Sequence, residues 1–256
     1  MKRLFWDLES SPGVFLAWRA GHKINLPVDN LVAEPAIICL CYKWEGQKKI
    51  HSLIWDDGCD KALVEAFVPI MEEADEMIAH NGDNFDLKWV QGRHLMHGLP
   101  PIPMAKTVDT LKISRSKFFM QSHRLDFLAK RLLGEGKIHT GFDLWRNCMA
   151  VTQPDPEIRA KNVFKMVRYC CKDVSLVEEL WKLQSAYVNP AAHAAVVASG
   201  NPMHRWKCGH CGSSNVQTSK TKTTAKGMVQ YQMRCNDCGR YYTIAKNVHN
   251  WYLAAK

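Results

Sequence analysis

The stretch LFWDLES, residues 4–10, decides the fold prediction. It is apolar and aromatic, it runs into the turn signal at residues 10–13, and it is interpreted as a strand whose side chains alternate between two faces. On such a strand Asp7 and Glu9 point to the same face. Two carboxylates this close would repel each other and lose hydration unless a cation neutralised them, so the pair predicts a divalent-metal site. Two solvated acids on an edge strand are the alternative.

A further acid follows a short buried strand. Residues 77–79 predict the strand, and Asp83 or Asn84 the N-cap of the helix after it. Asp86 then lies in the first turn of that helix, at the carboxyl end of the strand. An acid there can simply complement the helix dipole, worth about 0.3–1 kcal/mol. By itself, Asp86 therefore does not distinguish a catalytic from a structural role.

A long amphipathic helix begins near Pro156, since apolar residues recur at helical spacing with no proline or glycine inside the run. Tyr169 and Asp173 are four residues apart and so share one face of this helix. Alone, they could be an ordinary hydrogen-bonded pair. Together with the two earlier segments, they predict one acidic site built from three parts of the chain.

Three motifs in this order resemble those of a known nuclease family. They are D-x-E at Asp7 and Glu9, N-x-x-x-F-D ending at Asp86, and Y-x-x-x-D at Tyr169 and Asp173. The set resembles the DEDD superfamily of 3′–5′ exonucleases. It resembles the tyrosine branch in particular, because the sister branch has a histidine at the position where this chain has Arg168.

Further segments resemble the proofreading domains of family B DNA polymerases and their stand-alone relatives. They are VDTL at residues 108–111, HRLDFLA at 123–129 and LGEGK at 133–137. The likeness covers roughly residues 1–187. It implies an α/β fold of the ribonuclease-H-like type, with a mixed sheet flanked by helices; periodicity alone leaves several α/β folds open. The supporting strand signals lie at residues 37–44 and 50–55, and the helix signals at 61–73, 85–96 and 125–133.

The resemblance also implies a two-metal mechanism. Asp7, Glu9 and Asp173 would hold one Mg²⁺ or Mn²⁺, with Asp7 shared with a second ion and Asp86 completing the site directly or through water. One ion would lower the pKa of a bound water, and the other would stabilise the leaving 3′ oxygen.

Three more residues receive roles from the same resemblance. Tyr169 would orient the attacking water, because its ordinary pKa of about 10 makes it a poor base at neutral pH. Asn81 and Phe85 would place the terminal nucleotide, Phe85 by packing.

The last part of the chain predicts a separate small module. An uncharged stretch after Tyr187 is interpreted as a linker, residues 188–204, with a short helical segment at 191–198 as an option. Two C-x-x-C-G turns follow and resemble the knuckles of a zinc ribbon at residues 205–247, with a hairpin between them and a tail at 248–256. Disulfides or an iron–sulfur cluster are the alternatives for these cysteines. The predicted ligands of one structural Zn²⁺ are Cys208, Cys211, Cys235 and Cys238.

Charge is distributed unevenly along the chain. The net charge is +9, and residues 189–256 carry nine Lys and Arg against one acid. Lys220, Lys222 and Arg234, interleaved with aromatic residues, suit phosphate contact and base stacking on a single strand; a solvated basic face is the alternative. The aromatic residues predicted to stack are Tyr231, Tyr241, Tyr242, Trp251 and Tyr252.

The sequence therefore predicts a stand-alone, metal-dependent 3′–5′ exonuclease that acts on single-stranded 3′ ends of DNA and releases nucleoside 5′-monophosphates. An exoribonuclease and a non-catalytic zinc-ribbon nucleic-acid-binding module are the alternatives. A polymerase or single-strand-binding protein is a candidate partner. The sequence shows no signal peptide and no membrane-spanning run, which predicts a reducing compartment, cytoplasmic or nucleoid-associated. A virus or mobile element is a suitable source for such a fusion.

Overall fold

The computed structural model describes residues 1–19, 21, 24–103, 106–190 and 192–256. The chain divides into two compact units: Arg3–Leu180, and Trp181–Lys256 together with Met1–Lys2. The sequence prediction ended the first domain at residue 187, whereas this division falls inside helix Pro156–Gln184. The functions assigned to the two units remain predictions.

The first unit alternates strands and helices. Its strands are β1 (Arg3–Ser10), β2 (Val14–Phe15), β3 (Leu31–Ala33), β4 (Ile37–Trp44), β5 (His51–Ile54), β6 (Glu76–Ala79) and β7 (Thr107–Asp109). Its helices are α1 (Lys61–Glu73), α2 (Asp86–Met96), α3 (Thr110–Lys117), α4 (Leu125–Leu132), α5 (Asp143–Arg146) and α6 (Pro156–Gln184).

The main sheet has the strand order β5-β4-β1-β6-β7. Strand β1 pairs antiparallel with β4 and parallel with β6, and β6 pairs parallel with β7. The sheet is therefore mixed, with β1 at its centre, and the predicted fold class is confirmed.

The two faces of β1 have different neighbours. Leu4, Trp6 and Leu8 join an apolar core with residues of α1 and α2, and the Trp6 ring lies 5.2 Å from that of Phe67. Asp7 belongs to the opposite face, because successive side chains of a strand alternate. Helix α6 lies near that face, since its Cys170 Sγ is 3.3 Å from the carbonyl oxygen of Asp7. The period-two pattern of β1 thus separates the core from the acidic positions.

The turn between β6 and α2 differs from the prediction. Asp83 and Asn84 lie in the turn, and the N-cap position is occupied by Phe85, so the helix begins at Asp86. The backbone at Asn81 is left-handed, with φ of 71°. A Cβ at Gly82 would lie 2.5 Å from the Cβ of Ala79, so only glycine fits this tight reversal.

The second unit contains α7 (Ala194–Ser199), β8 (Val216–Thr223), β9 (Val229–Cys235), β10 (Tyr241–Ala245) and α8 (Lys246–Ala254). Its strands form an antiparallel sheet in the order β10-β9-β8. The predicted linker, residues 188–204, includes α7 and the start of a 3₁₀ helix, Pro202–Trp206; Ala191 lies outside the described residues. The predicted tail, residues 248–256, is largely helical, because buried His249 and Tyr252 anchor α8 in the small core of this unit.

Helix α6 is 29 residues long, yet charged side chains occur along its length. Within the described ranges, no helix combines the length and apolar character needed to cross a membrane.

Candidate active site

Three acids from two distant parts of the chain meet at β1. Carboxylate oxygens of Asp7 and Glu9 on β1 and Asp173 on α6 all lie within 4.8 Å of one another. Asp173 is fully buried. Hard oxygen ligands grouped in this way suit Mg²⁺ or Mn²⁺.

Asp86 adjoins this group from the start of α2. Its Oδ1 accepts a hydrogen bond of 3.1 Å from the backbone N–H of Leu8, and its side chain is buried. Its charge contributes to the raised pKa of Asp7. The structure therefore brings together all four predicted acids, called the acidic site below: Asp7, Glu9, Asp86 and Asp173.

Burial makes the charged forms of these acids costly. It raises the pKa of Glu9 to about 7 and that of Asp86 to about 7. Burial also raises the pKa of Asp7, and repulsion from the other three carboxylates raises it further. Among the described residues, Asp173 Oδ1 is buried without a hydrogen-bond partner. Carboxylates buried together in this way, with one oxygen unpartnered, fit a site completed by divalent cations.

Lys137 enters the acidic site, although the sequence did not predict it as a site residue. Its ammonium lies 2.5 Å from Asp173 Oδ2 and donates a hydrogen bond of 3.2 Å to the hydroxyl of Tyr169. Its backbone N–H donates to Asp126 Oδ1 at 2.9 Å. This hydrogen bond fixes the backbone from which the Lys137 side chain extends into the acidic site. The sequence signal that includes Lys137 is the LGEGK segment, residues 133–137.

Trp145 is a second residue that sequence reasoning missed. Its indole N–H donates to Glu9 Oε2 at 3.2 Å, and its ring stands edge-on to Tyr169 at 5.6 Å. It therefore links an acid of β1 to the tyrosine of α6. No motif marked this position, because the contact depends on where short helix α5 packs.

The two predicted nucleotide-placing residues lie on the turn before α2. The backbone N–H of Asn81 donates to Asp109 Oδ1 at 2.9 Å. Phe85 is 41% exposed and lines a cavity of about 400 Å³ together with Lys88 and Trp89. Phe85 is therefore available to a ligand.

Hydrogen bonds of His80, the residue before Asn81, hold the same turn in place. His80 Nδ1 is 2.9 Å from Thr110 Oγ1, and its Nε2 is 3.0 Å from the carbonyl oxygen of His123. Burial lowers the pKa of His80 to about 4, so the ring is neutral near pH 7. Residues in the VDTL and HRLDFLA segments thus support the turn that carries Asn81.

The second unit contains the predicted cysteine site. The four Sγ atoms lie within 4.8 Å of one another, with Cys208 to Cys238 and Cys211 to Cys235 both at 3.6 Å. Tetrahedral zinc with Zn–S bonds of about 2.3 Å places sulfurs about 3.8 Å apart. The glycines after each knuckle, Gly212 and Gly239, have φ of 78° and 73°, which that turn requires. These cysteines, called the C-terminal cysteine site below, can hold a zinc ion.

The predicted basic residues share one open face. Lys220 pairs across the sheet with Gln232, and Lys222 with Gln230. Both glutamines share one face of β9 with Arg234, because the three residues are spaced two apart. Cross-strand partners project to the same side, so the three cations face together. This basic face is defined by Lys220, Lys222 and Arg234, all exposed.

Most of the predicted stacking aromatics lie elsewhere. Tyr231 stacks on His249 at 3.6 Å, and Tyr252 is buried, so both belong to the core of the unit. The Tyr242 hydroxyl donates to the carbonyl oxygen of Trp206. Tyr241 is 53% exposed with the Arg234 guanidinium 5.7 Å from its ring centre, so it retains a surface for stacking.

Comparisons with known proteins show partial likenesses to DNA polymerases. No protein-family model matches the chain. A segment of 68 residues is 40% identical to the PolC-type DNA polymerase III of Ureaplasma parvum serovar 3, covering 26% of this chain and 5% of that protein. The family B DNA polymerase from the hyperthermophilic archaeon Pyrobaculum calidifontis superposes with a TM-score of 0.52 at 16% identity, over 72% of this chain and 24% of that one. The chain spans a small part of each polymerase, and the structural likeness is one of fold.

Proposed function

We propose that this protein is a metal-dependent 3′–5′ exonuclease of the DEDD superfamily, tyrosine branch, which releases nucleoside 5′-monophosphates from single-stranded 3′ ends. The observation that carries the proposal is the meeting of Asp7, Glu9 and Asp173 beside buried Asp86. Buried carboxylates that repel one another destabilise a fold. A scaffold alone would gain nothing from such a group, whereas phosphodiester hydrolysis uses it.

The acidic site fits two Mg²⁺ or Mn²⁺ ions through its carboxylate oxygens, with Asp173 Oδ1 still lacking a partner among the described residues. When bound, the ions would activate a water molecule and offset negative charge on the scissile phosphate. Glu9 is held by Trp145 and Asp86 by the backbone of Leu8, so each presents a fixed oxygen to the site. Fixed ligands reduce the reorganisation needed during reaction.

Tyr169 is suited to orienting the attacking water. Its oxygen already accepts a hydrogen bond from Lys137, so its own proton is available for the water or for a phosphate oxygen. Burial raises the pKa of Tyr169, and nearby Asp173 raises it further. The hydroxyl therefore stays protonated at neutral pH and acts as a donor.

The cavity beside Phe85 supports binding of a strand end. Its lining residues include Phe85, Trp89 and Lys88, residue types that suit a base and an adjacent phosphate. We propose DNA as the preferred substrate, because both polymerase likenesses concern enzymes of DNA and the motif context resembles their proofreading domains. An exoribonuclease is the first alternative.

We propose that the second unit is a zinc ribbon with one structural Zn²⁺ at the C-terminal cysteine site. Its basic face, with Arg234 beside exposed Tyr241, offers phosphate contacts and one stacking surface. A tethered grip of this kind raises the effective concentration of substrate at the acidic site. Docking to a polymerase or a single-strand-binding protein is the alternative use. Reduced thiolates suit a reducing compartment, cytoplasmic or nucleoid-associated.

End-labelled substrates test the activity and its direction. Single-stranded DNA and RNA with a 3′ or 5′ label are digested with Mg²⁺ or Mn²⁺, and Asp7→Ala is the control. We expect immediate loss of the 3′ label and a shrinking 5′-labelled ladder, both absent in the variant. The relative rates of DNA and RNA digestion show which polymer is the preferred substrate. If neither polymer is cleaved, the non-catalytic binding module becomes the better interpretation.

A further inference from the structure

Four cysteines outside the predicted metal sites come together between β4 and α6. The Sγ atoms of Cys39, Cys41 and Cys170 lie within 4.8 Å of one another, and all three residues are fully buried. Cys171 is half-buried, and its Sγ is 3.4 Å from that of Cys41. These residues, called the core cysteine cluster below, have no motif spacing in the sequence, so only the fold assembles them.

The cluster adjoins the acidic site. In the β1–β4 pairing, Cys41 lies opposite Asp7 and Cys39 opposite Glu9, so the sulfurs and the carboxylates project from the same face of the sheet. Cys170 on α6 completes the contact, because its Sγ is 3.7 Å from Asp7 Oδ2. A soft, sulfur-lined group and a hard, oxygen-lined group therefore lie side by side.

The two groups suit different metals. Carboxylates favour Mg²⁺ and Mn²⁺, whereas thiolates favour zinc and Cu(I). Sulfurs around tetrahedral zinc are about 3.8 Å apart. The Sγ atoms of Cys39, Cys41 and Cys170 are close to that spacing, and Cys171 Sγ, 3.4 Å from that of Cys41, would rotate toward the other two to join them.

We propose that Cys39, Cys41 and Cys170 bind a thiophilic cation of the zinc class, with Cys171 as the fourth sulfur ligand. The bound ion cross-links β4 to α6, the helix that carries Tyr169 and Asp173. Because the ligands lie far apart in sequence, the site forms only in the folded chain, and ion binding stabilises that fold. Half-buried Cys171 provides the side from which the ion enters.

Metal content of the full chain tests the proposal. The protein is purified with zinc present, washed with a weak chelator, and analysed for zinc per chain. The wild type is expected to hold two zinc ions, and Cys170→Ala one. Cys148→Ala is the matched control, since Cys148 is also buried but donates to the Leu144 carbonyl away from the cluster, and it should hold two. A wild type with one zinc, unchanged by Cys170→Ala, would mean that the core thiols are ordinary small apolar side chains.

A second measurement keeps the test decisive should Cys170→Ala fail to fold. All four ligands of the C-terminal cysteine site are changed to serine, which leaves the core cluster intact, and Co²⁺ is added during refolding. A thiolate-to-cobalt charge-transfer band is then expected from the core cluster alone. Its absence in a chain whose first unit stays folded, as shown by protection of the main-sheet amides from hydrogen exchange, overturns the proposal. Both readouts report metal rather than activity, so their result is independent of the proposed nuclease function.

Discussion

The ammonium of Lys137 lies 2.5 Å from Asp173 Oδ2 and 3.2 Å from the hydroxyl oxygen of Tyr169, so one cation joins both residues that α6 contributes to the site. Burial by itself favours the neutral amine, but the carboxylate of Asp173 outweighs it and raises the pKa of Lys137. Lys137 is therefore charged at neutral pH and directs the lone pairs of Tyr169 toward itself.

Replacing Lys137 should slow the reaction without removing it. In Lys137→Met the Tyr169 hydroxyl loses its donor and can rotate, so kcat at saturating Mn²⁺ should fall by about tenfold or more, which corresponds to roughly 1.4 kcal/mol. Lys48→Met is the matched control, because Lys48 is an exposed lysine between β4 and β5. Equal rates for the two variants would show that Lys137 has no positioning role.

Asp7→Asn should remove activity yet stabilise the metal-free protein. The change keeps the shape of the side chain but removes an acid whose ionised form is disfavoured by burial and by the other three carboxylates. Activity should fall by at least about 10³-fold, or roughly 4 kcal/mol, since a metal ligand is lost. The melting temperature in EDTA should rise, whereas Glu65→Gln, an exposed change on α1, should alter neither quantity. A lower melting temperature for Asp7→Asn would contradict the electrostatic account.

The metal-free protein should lose stability as pH rises from about 4 to about 7. Unfolded carboxyls ionise near pH 4, whereas folded Glu9 and Asp86 keep their protons up to about pH 7. The folded state then binds more protons across this window, so the free energy of unfolding falls with rising pH.

Divalent cations should reverse that loss by replacing the protons. Melting curves at about pH 5 and pH 8, with EDTA or Mn²⁺, measure the effect. The gain from Mn²⁺ should be larger at the higher pH and should shrink in Asp7→Asn, which separates the acidic site from other titrating groups. A gain that does not depend on pH would count against the site.

Removing zinc should unfold the second unit while leaving hydrolysis of short oligonucleotides. This unit has a small core around Trp206, Met233 and Tyr252, so metal binding, of order 10 kcal/mol in zinc fingers, supplies much of its stability. In Cys208→Ser with Cys235→Ser, tryptophan fluorescence should report exposure of Trp206 and Trp251. Cys59→Ser, an exposed cysteine of the first unit, is the control. An unchanged spectrum after zinc loss would exclude a structural metal.

The basic face should set the salt dependence of binding. Changing its three cations to alanine should weaken single-strand binding and reduce the slope of log K against log salt by about two, since each phosphate contact on a single strand contributes about 0.7. A control with the same charge change uses exposed lysines of the first unit: Lys48, Lys49 and Lys61. If both triple variants lose the same slope, binding follows net charge rather than this face.

Patterns within single elements were readable from the sequence. Residues 37–44 and 61–73 have the predicted bounds as β4 and α1, because hydrophobic period and turn residues act locally. The predicted N-cap of α2, Asp83 or Asn84, was wrong. The turn that begins with left-handed Asn81 continues through Phe85, so the first helical residue is Asp86. The sequence did not predict β10 and α8. Their few apolar residues show no clear period, and they are buried only by packing against the hairpin of β8 and β9.

The sequence by itself determined which residues are proposed to carry the chemistry: the carboxylates and tyrosine of the three motifs, and the paired cysteines of the two knuckles. It could do so because strand alternation, helical spacing and knuckle spacing are local rules. Only the tertiary structure decided which side chains join them, namely Lys137 and Trp145 at the acidic site and the core cysteine cluster behind it. These contacts connect segments far apart in the chain, and their distances depend on how α5 and α6 pack against the sheet, which no local pattern specifies.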